Sequence, residues 1–127
     1  MKLVDVVNYH AKRHREDMEK IVSNQLGEII PTTSQLDFVV KMPVGTEQYV
    51  NDVRRFVDAM LFKLAKNAHK GRWEEMSVYE AMVRIREETE ELDGAVKTGN
   101  TIEMVLEAAD IANFAMIACS ITMERGK

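Results

Sequence analysis

Four carboxylates carry the strongest chemical signal in the chain. Glu88 and Glu91 stand three residues apart, and after fifteen intervening residues Glu107 and Asp110 repeat the spacing. On a helix, side chains three apart share a face, so each pair would project together. The second pair sits in an unusual setting. From Met104 to Ile121 almost every other residue is apolar or small, including Val105, Leu106, Ala108, Ala109, Ile111, Ala112 and Phe114. A helix apolar all round is buried all round. Two ionised carboxylates on it would cost several kcal/mol unless paired or bound to a metal. Two more glutamates facing the same crevice make a shared divalent cation the lowest-energy joint solution. With only oxygen ligands and no thiolate or imidazole at ligand spacing, the site selects a hard ion, Mg²⁺ or Mn²⁺.

A second set of residues complements the acids. Lys63, Lys66, Asn67 and Lys70 fall within an arc of about 100° on a helix wheel. Three ammonium groups and an amide on one face can hold a polyphosphate. Solvated lysines on a helix face are the commoner arrangement, and the phosphate reading competes with it. Glu87 is a candidate for a second metal or for orienting a water. Asn113, polar among core residues, and Trp73, the single tryptophan, are candidates for contact with a nucleotide, although Trp73 equally suits packing over a helix end. His10 and His14, one turn apart, lie among Lys and Arg and read as a solvated face. Cys119 reads as a core residue.

The elements that must position these groups are helices. Six glycines and two prolines are few for a turn-rich chain, and nine methionines with sparse aromatics suit a helical core. A mostly polar helix is predicted over about Val4–Ser23. Pro31 and the Thr/Ser cluster break the pattern, and a short extended arm is expected over Gln35–Met42, ended by Pro43-Val-Gly45. A helix follows from Thr46, as N-cap, to His69, with Tyr49, Val53, Phe56, Met60 and Leu64 as its apolar face. Gly71 stops it. The next helix begins at Met76–Ser77, where Ser77 and Glu80 have capping-box spacing, and ends near Gly99. Its core stripe is predicted to be Val78, Met82, Ile85, Thr89, Leu92 and Val96. Glu88 and Glu91 flank that stripe with Ala81 and Ala95, whose small side chains admit a neighbouring helix. The last helix covers Thr101–Glu124. The expected architecture is all-α, a helical bundle with the active site between two facing acidic helices. Residues 1–45 form an N-terminal helix and arm, and residues 46–127 form the core of one structural domain.

The phrase Glu87-Glu88-x-x-Glu91 followed by Glu107-x-x-Asp110 resembles the signature of MazG-like all-α nucleotide pyrophosphohydrolases. Lys63-Leu-x-x-Asn67-x-x-Lys70-Gly71-x-Trp73 resembles the segment preceding that signature in small stand-alone members, and Glu107-Ala-Ala-Asp110-Ile-Ala-Asn113-Phe is similar to its second half. The likeness covers about Val53 to Met123. It implies Mg²⁺-dependent cleavage of nucleoside triphosphates between the α and β phosphates, giving a nucleoside monophosphate and pyrophosphate. It also implies a homo-oligomer, dimer or tetramer, in which subunits share the bundle. Related all-α enzymes acting on dUTP or phosphoribosyl-ATP carry similar acidic helices. A non-catalytic, metal-stabilised oligomerisation bundle is the alternative of a different class. A di-iron bundle is disfavoured because Glu-x-x-His pairs are missing from these helices.

Composition narrows the setting. The 127 residues suffice for one core without staples, and 46% are hydrophobic. Seventeen basic against twenty-one acidic residues give a net charge of −4, which argues against a nucleic-acid partner. The one cysteine excludes an internal disulfide and fits a reducing compartment. MKLVDVVNYHAKRHRED holds no apolar run of signal-peptide length, and the most apolar segment carries Glu107 and Asp110. The expectation is a cytoplasmic protein with no membrane partner.

Overall fold

A computed structural model describes residues 34–125. The helix expected over Val4–Ser23, with His10 and His14, lies outside the described residues. The chain divides into two compact units, residues 1–58 and 59–127.

In the first unit, residues 35–43 take no regular secondary structure, a turn follows at Val44–Gly45, and no strand occurs among the described residues. The turn is tied locally: Thr46 N–H and Thr46 Oγ1 both donate to Pro43 O, at 3.1 and 2.7 Å. Thr46 precedes one 3₁₀ turn, Glu47–Tyr49, and its hydroxyl does not cap it. α1 then runs Val50–Lys66 and passes into the second unit. Tyr49, Val53 and Phe56 of the predicted apolar face stand exposed, and Ala59 is the one buried residue of α1.

In the second unit α1 ends at Lys66, and a further 3₁₀ turn, Ala68–Lys70, closes at Gly71, whose φ of 76° is left-handed. α2 spans Val78–Thr98. Its start and stop follow local chemistry. Ser77 Oγ accepts from Glu80 N–H at 3.0 Å, and Gly99, at φ 71°, donates back to Ala95 O and Val96 O. α3 covers Thr101–Arg125, and the side chain of Asn100 accepts from Glu103 N–H at 3.1 Å. α2 and α3 pack along their lengths.

The packing face of α2 differs from the predicted stripe. Ala81, Glu88 and Ala95, spaced at seven, are its buried residues, whereas Met82, Thr89 and Val96 are exposed. The alanines let the α3 backbone come close, and the axis of closest approach decides burial more strongly than the widest apolar stripe. On α3 the buried residues are Leu106, Ala109, Asn113, Ile117 and Ile121, all on one side. Cys119 lies about 200° round from Ile117 on the wheel. It is exposed and not in the core, with Met123 Sδ at 3.6 Å. α3 is long and apolar enough, by length and composition, to cross a membrane. Within its apolar stretch it carries Glu107 and Asp110, and it packs on α2.

Candidate metal and phosphate site

The second unit contains a cavity of about 890 Å³ lined by the last turn of α1, the connection after it and the facing sides of α2 and α3. Lys63, Asn67, Lys70, Trp73, Glu88, Glu91, Glu107, Asp110 and Asn113 all line it. Two of the residues singled out from the sequence do not. Glu87 is exposed and pairs with Arg84 at 3.5 Å, one step round α2 from Glu88. Lys66 is exposed on α1 and lies outside the cavity lining.

Helix–helix contact creates the acidic end. Glu88 sits between the two alanines of the α2 seam and is carried into the interface with them, 7% exposed. Glu107 and Asp110 meet it from α3, and one carboxylate oxygen of each of the three lies within 4.8 Å of the others. Glu91, one turn along α2, is exposed at the rim, close enough to push the carboxyls of Glu88 and Glu107 upward. So the predicted quartet divides into three converging oxygens and one carboxylate beside them.

This arrangement is strained without a cation. Burial pushes the Glu107 carboxyl up to about 9, and hydrogen bonds and repulsion from Glu88 and Glu91 act in the same direction. Burial also raises Glu88, with Glu91 and Asp110 adding to the effect and a hydrogen bond with Glu107 opposing it. Glu88 Oε2 and Glu107 Oε2 are buried without a hydrogen-bond partner. Two inward-facing oxygens that nothing satisfies, in an all-oxygen donor set, fit a hard divalent ion.

Lysine charge reaches the cluster directly. Lys63 Nζ lies 3.2 Å from Asp110 Oδ2, and both side chains are less than a fifth exposed. Asn67 Nδ2 donates to Lys63 O at 3.0 Å, a carbonyl at the end of α1 that also accepts Asn67 N–H at 3.2 Å. Asn113 Nδ2 donates to Met60 O at 3.1 Å, joining α3 to α1, while its Oδ1 is buried and unpaired. Lys70 is exposed at the cavity edge.

One lining residue that the sequence did not single out is Arg84. The long guanidinium reaches back to the cavity, 3.8 Å from Glu88, and lies over the Phe114 ring at 5.1 Å from its centre. Arg72, Met76, Phe114 and Ile117 add cationic and apolar groups to the same lining. Trp73 packs against the core cluster of Ala81, Ile117 and Ile121, and Arg72 lies over its ring at 4.7 Å. Packing over a helix end thus describes Trp73, with its Nε1 donor left buried and unpaired. Comparisons of the chain with protein-family models, with curated proteins and with solved structures find no match.

Proposed function

We propose that the chain is a metal-dependent nucleoside triphosphate pyrophosphohydrolase of the MazG-like kind, cleaving between the α and β phosphates. The observation that carries this reading is the convergence of Glu88, Glu107 and Asp110 within 4.8 Å, in one cavity with Lys63, Lys70 and Asn67. Glu88, Glu107 and Asp110 would hold Mg²⁺, or Mn²⁺ in its place, with Glu91 adjoining. Bound there, the ion supplies Lewis-acid stabilisation of the charge that develops on a phosphoanhydride. Lys63 and Lys70 bind the polyphosphate oxygens, Lys63 turning from Asp110 to substrate. Glu91, solvent-accessible beside the cluster, takes the proton from the attacking water as general base. Glu87, tied to Arg84 outside the cavity, has no part in this assignment.

The test is pyrophosphate release from a panel of nucleoside and deoxynucleoside triphosphates, dUTP and phosphoribosyl-ATP included, with Mg²⁺ and with EDTA. The expected outcome is release from at least one triphosphate that EDTA abolishes. A chain that Mg²⁺ stabilises but that hydrolyses no member of the panel is a metal-stabilised bundle and not this enzyme.

The proposed enzyme is a homo-oligomer. Among the described residues no large side chain is fully buried, and Leu61, Tyr79, Met82, Val96 and Met123 of the second unit are exposed. Apolar side chains on all three helices are therefore left exposed among the described residues, which favours association. Sedimentation at micromolar concentration is expected to give a dimer or tetramer. A stable monomer would contradict it.

A further inference from the structure

The connection between α1 and α2 has almost no regular structure. Gly71 to Ser77 contains one turn, in which Met76 N–H donates to Trp73 O at 3.1 Å. This stretch nevertheless supplies Arg72, Trp73 and Met76 to the cavity wall. A segment so poor in its own hydrogen bonds needs fastening from outside if it is to present a fixed wall.

The fastening comes from the far end of α3. Arg125 Nη1 donates to Met76 O at 2.8 Å, and Nη2 donates to Glu74 O at 2.5 Å. Its neighbour Glu124 pairs with Arg72, and the same Arg72 guanidinium lies over the Trp73 ring. The planar fork of one arginine thus holds two carbonyls of the connection, and an ion pair holds a third point beside the indole. Between these clamps sits Trp73, packed on Ile117 and Ile121 and keeping an indole N–H that no protein group accepts. That nitrogen is shielded from solvent, so what the connection offers the cavity is the Trp73 ring with Arg72 and Met76 beside it.

We propose that Arg125 is a positioning residue for ligand binding: it clamps the Gly71–Ser77 connection so that the Trp73 ring stands fixed in the cavity wall against the ring-bearing end of a nucleotide. This rests on the nucleotide reading above. Arg125 bonds the connection and none of Glu88, Glu107 and Asp110, so the clamp sets affinity for substrate and leaves the metal untouched. Arg125 acts through Trp73 and touches no reacting atom.

The experiment is a double-mutant cycle on the full chain, using the triphosphate of the panel that is turned over fastest. Arg125→Ala is expected to raise KM roughly ten-fold, the loss of one well-placed contact, with kcat within two-fold of the parent. Trp73→Ala removes the ring that the clamp positions, and is expected to raise KM similarly. The double variant is expected to be no worse than either single one, because the two residues act as a unit. Arg125→Lys, which keeps one donor, is expected to recover part of the loss. Mg²⁺ affinity of Arg125→Ala, measured by calorimetry without nucleotide, is expected to match the parent. Additive effects in the double variant, an unchanged KM in Arg125→Ala, or a parallel loss of kcat and Mg²⁺ affinity would each overturn the assignment. A parent chain inactive on the whole panel overturns the nucleotide reading itself, and this inference with it.

Discussion

Replacing Glu88 by Gln is expected to lower kcat at least ~100-fold while the chain stays folded, because the change removes a ligand and not merely a neighbour of one. Glu88 is the one carboxylate of the cluster that is almost wholly buried, and it stands at the α2–α3 seam between Ala81 and Ala95. Gln fills the same volume and offers its own oxygen, so the helix seam is preserved. What changes is charge. The cluster loses one of the three converging oxygens that would carry full negative charge, and a hard cation binds carboxylate oxygens far better than amides. Without metal, the substitution also relieves crowding, since the buried Glu88 carboxyl is already shifted toward its neutral form. Metal-free Glu88→Gln is therefore expected to unfold at the same urea concentration as the parent or higher, and to show little stabilisation by Mg²⁺. Pyrophosphate release above a few per cent of the parent would remove Glu88 from the ligand set. A sharp fall in metal-free stability would instead mean that Arg84, 3.8 Å away, depends on the charge.

How far this site was legible in the sequence can be argued residue by residue. Ser77, Gly71 and Gly99 announce the ends of helices because caps and left-handed positions act within a few residues, and each takes the expected part in the structure. The all-helical architecture of the described residues follows from the same local rules. The pairing of Glu88 with Glu107 and Asp110 was also readable, since ionised groups in an apolar helix demand partners. Faces were harder. Met82, Thr89 and Val96 form a convincing stripe, yet they are exposed, because the alanine seam allows the closer approach. Arg84 was missed for a related reason. A wheel places the Cα, but a long guanidinium bends three or four residues along the helix, so Arg84 reaches the cavity and pairs with Glu87 outside it. Arg125 was invisible because its partners are backbone carbonyls about fifty residues away, and carbonyls leave no trace in a sequence.

Glu107 and Asp110 share a helix face, a cavity and a charge, yet neutralising them is expected to have opposite effects on the metal-free chain. Glu107 has a buried oxygen without a partner and a carboxyl pushed up to about 9. Its folded value lies above the unfolded one, so the folded chain holds the proton more tightly than the unfolded chain does. Stability is then highest below the ordinary carboxylate range and falls as pH rises from there to about 9, where the slope flattens. Glu107→Gln removes that slope, and near neutral pH it is expected to be as stable as the parent or more so. Asp110 differs because Lys63 stands 3.2 Å away and both side chains are mostly buried. Asp110→Asn leaves the lysine charge without its counter-ion, and a loss of roughly 3 kcal/mol in urea unfolding is expected, the lower end of what breaking a buried pair costs. Mg²⁺ separates the carboxylates from every other contribution. Binding requires the carboxylates ionised, so the ion must displace the Glu107 proton. Metal affinity is therefore expected to rise with pH up to about 9, and calorimetry at pH 7 in buffers of different ionisation enthalpy is expected to show proton release. The Mg²⁺-induced rise in Tm should accordingly be larger at pH 8 than at pH 6, by the mass-action relation between affinity and stability. The Arg72–Glu124 pair does not disturb this window. Arg72 lowers the Glu124 carboxyl, so that pair adds stability above the usual carboxylate range and loses it only as pH falls further. A Tm rise independent of pH, or one undiminished in Glu107→Gln and Asp110→Asn alike, would place the bound cation away from this cluster.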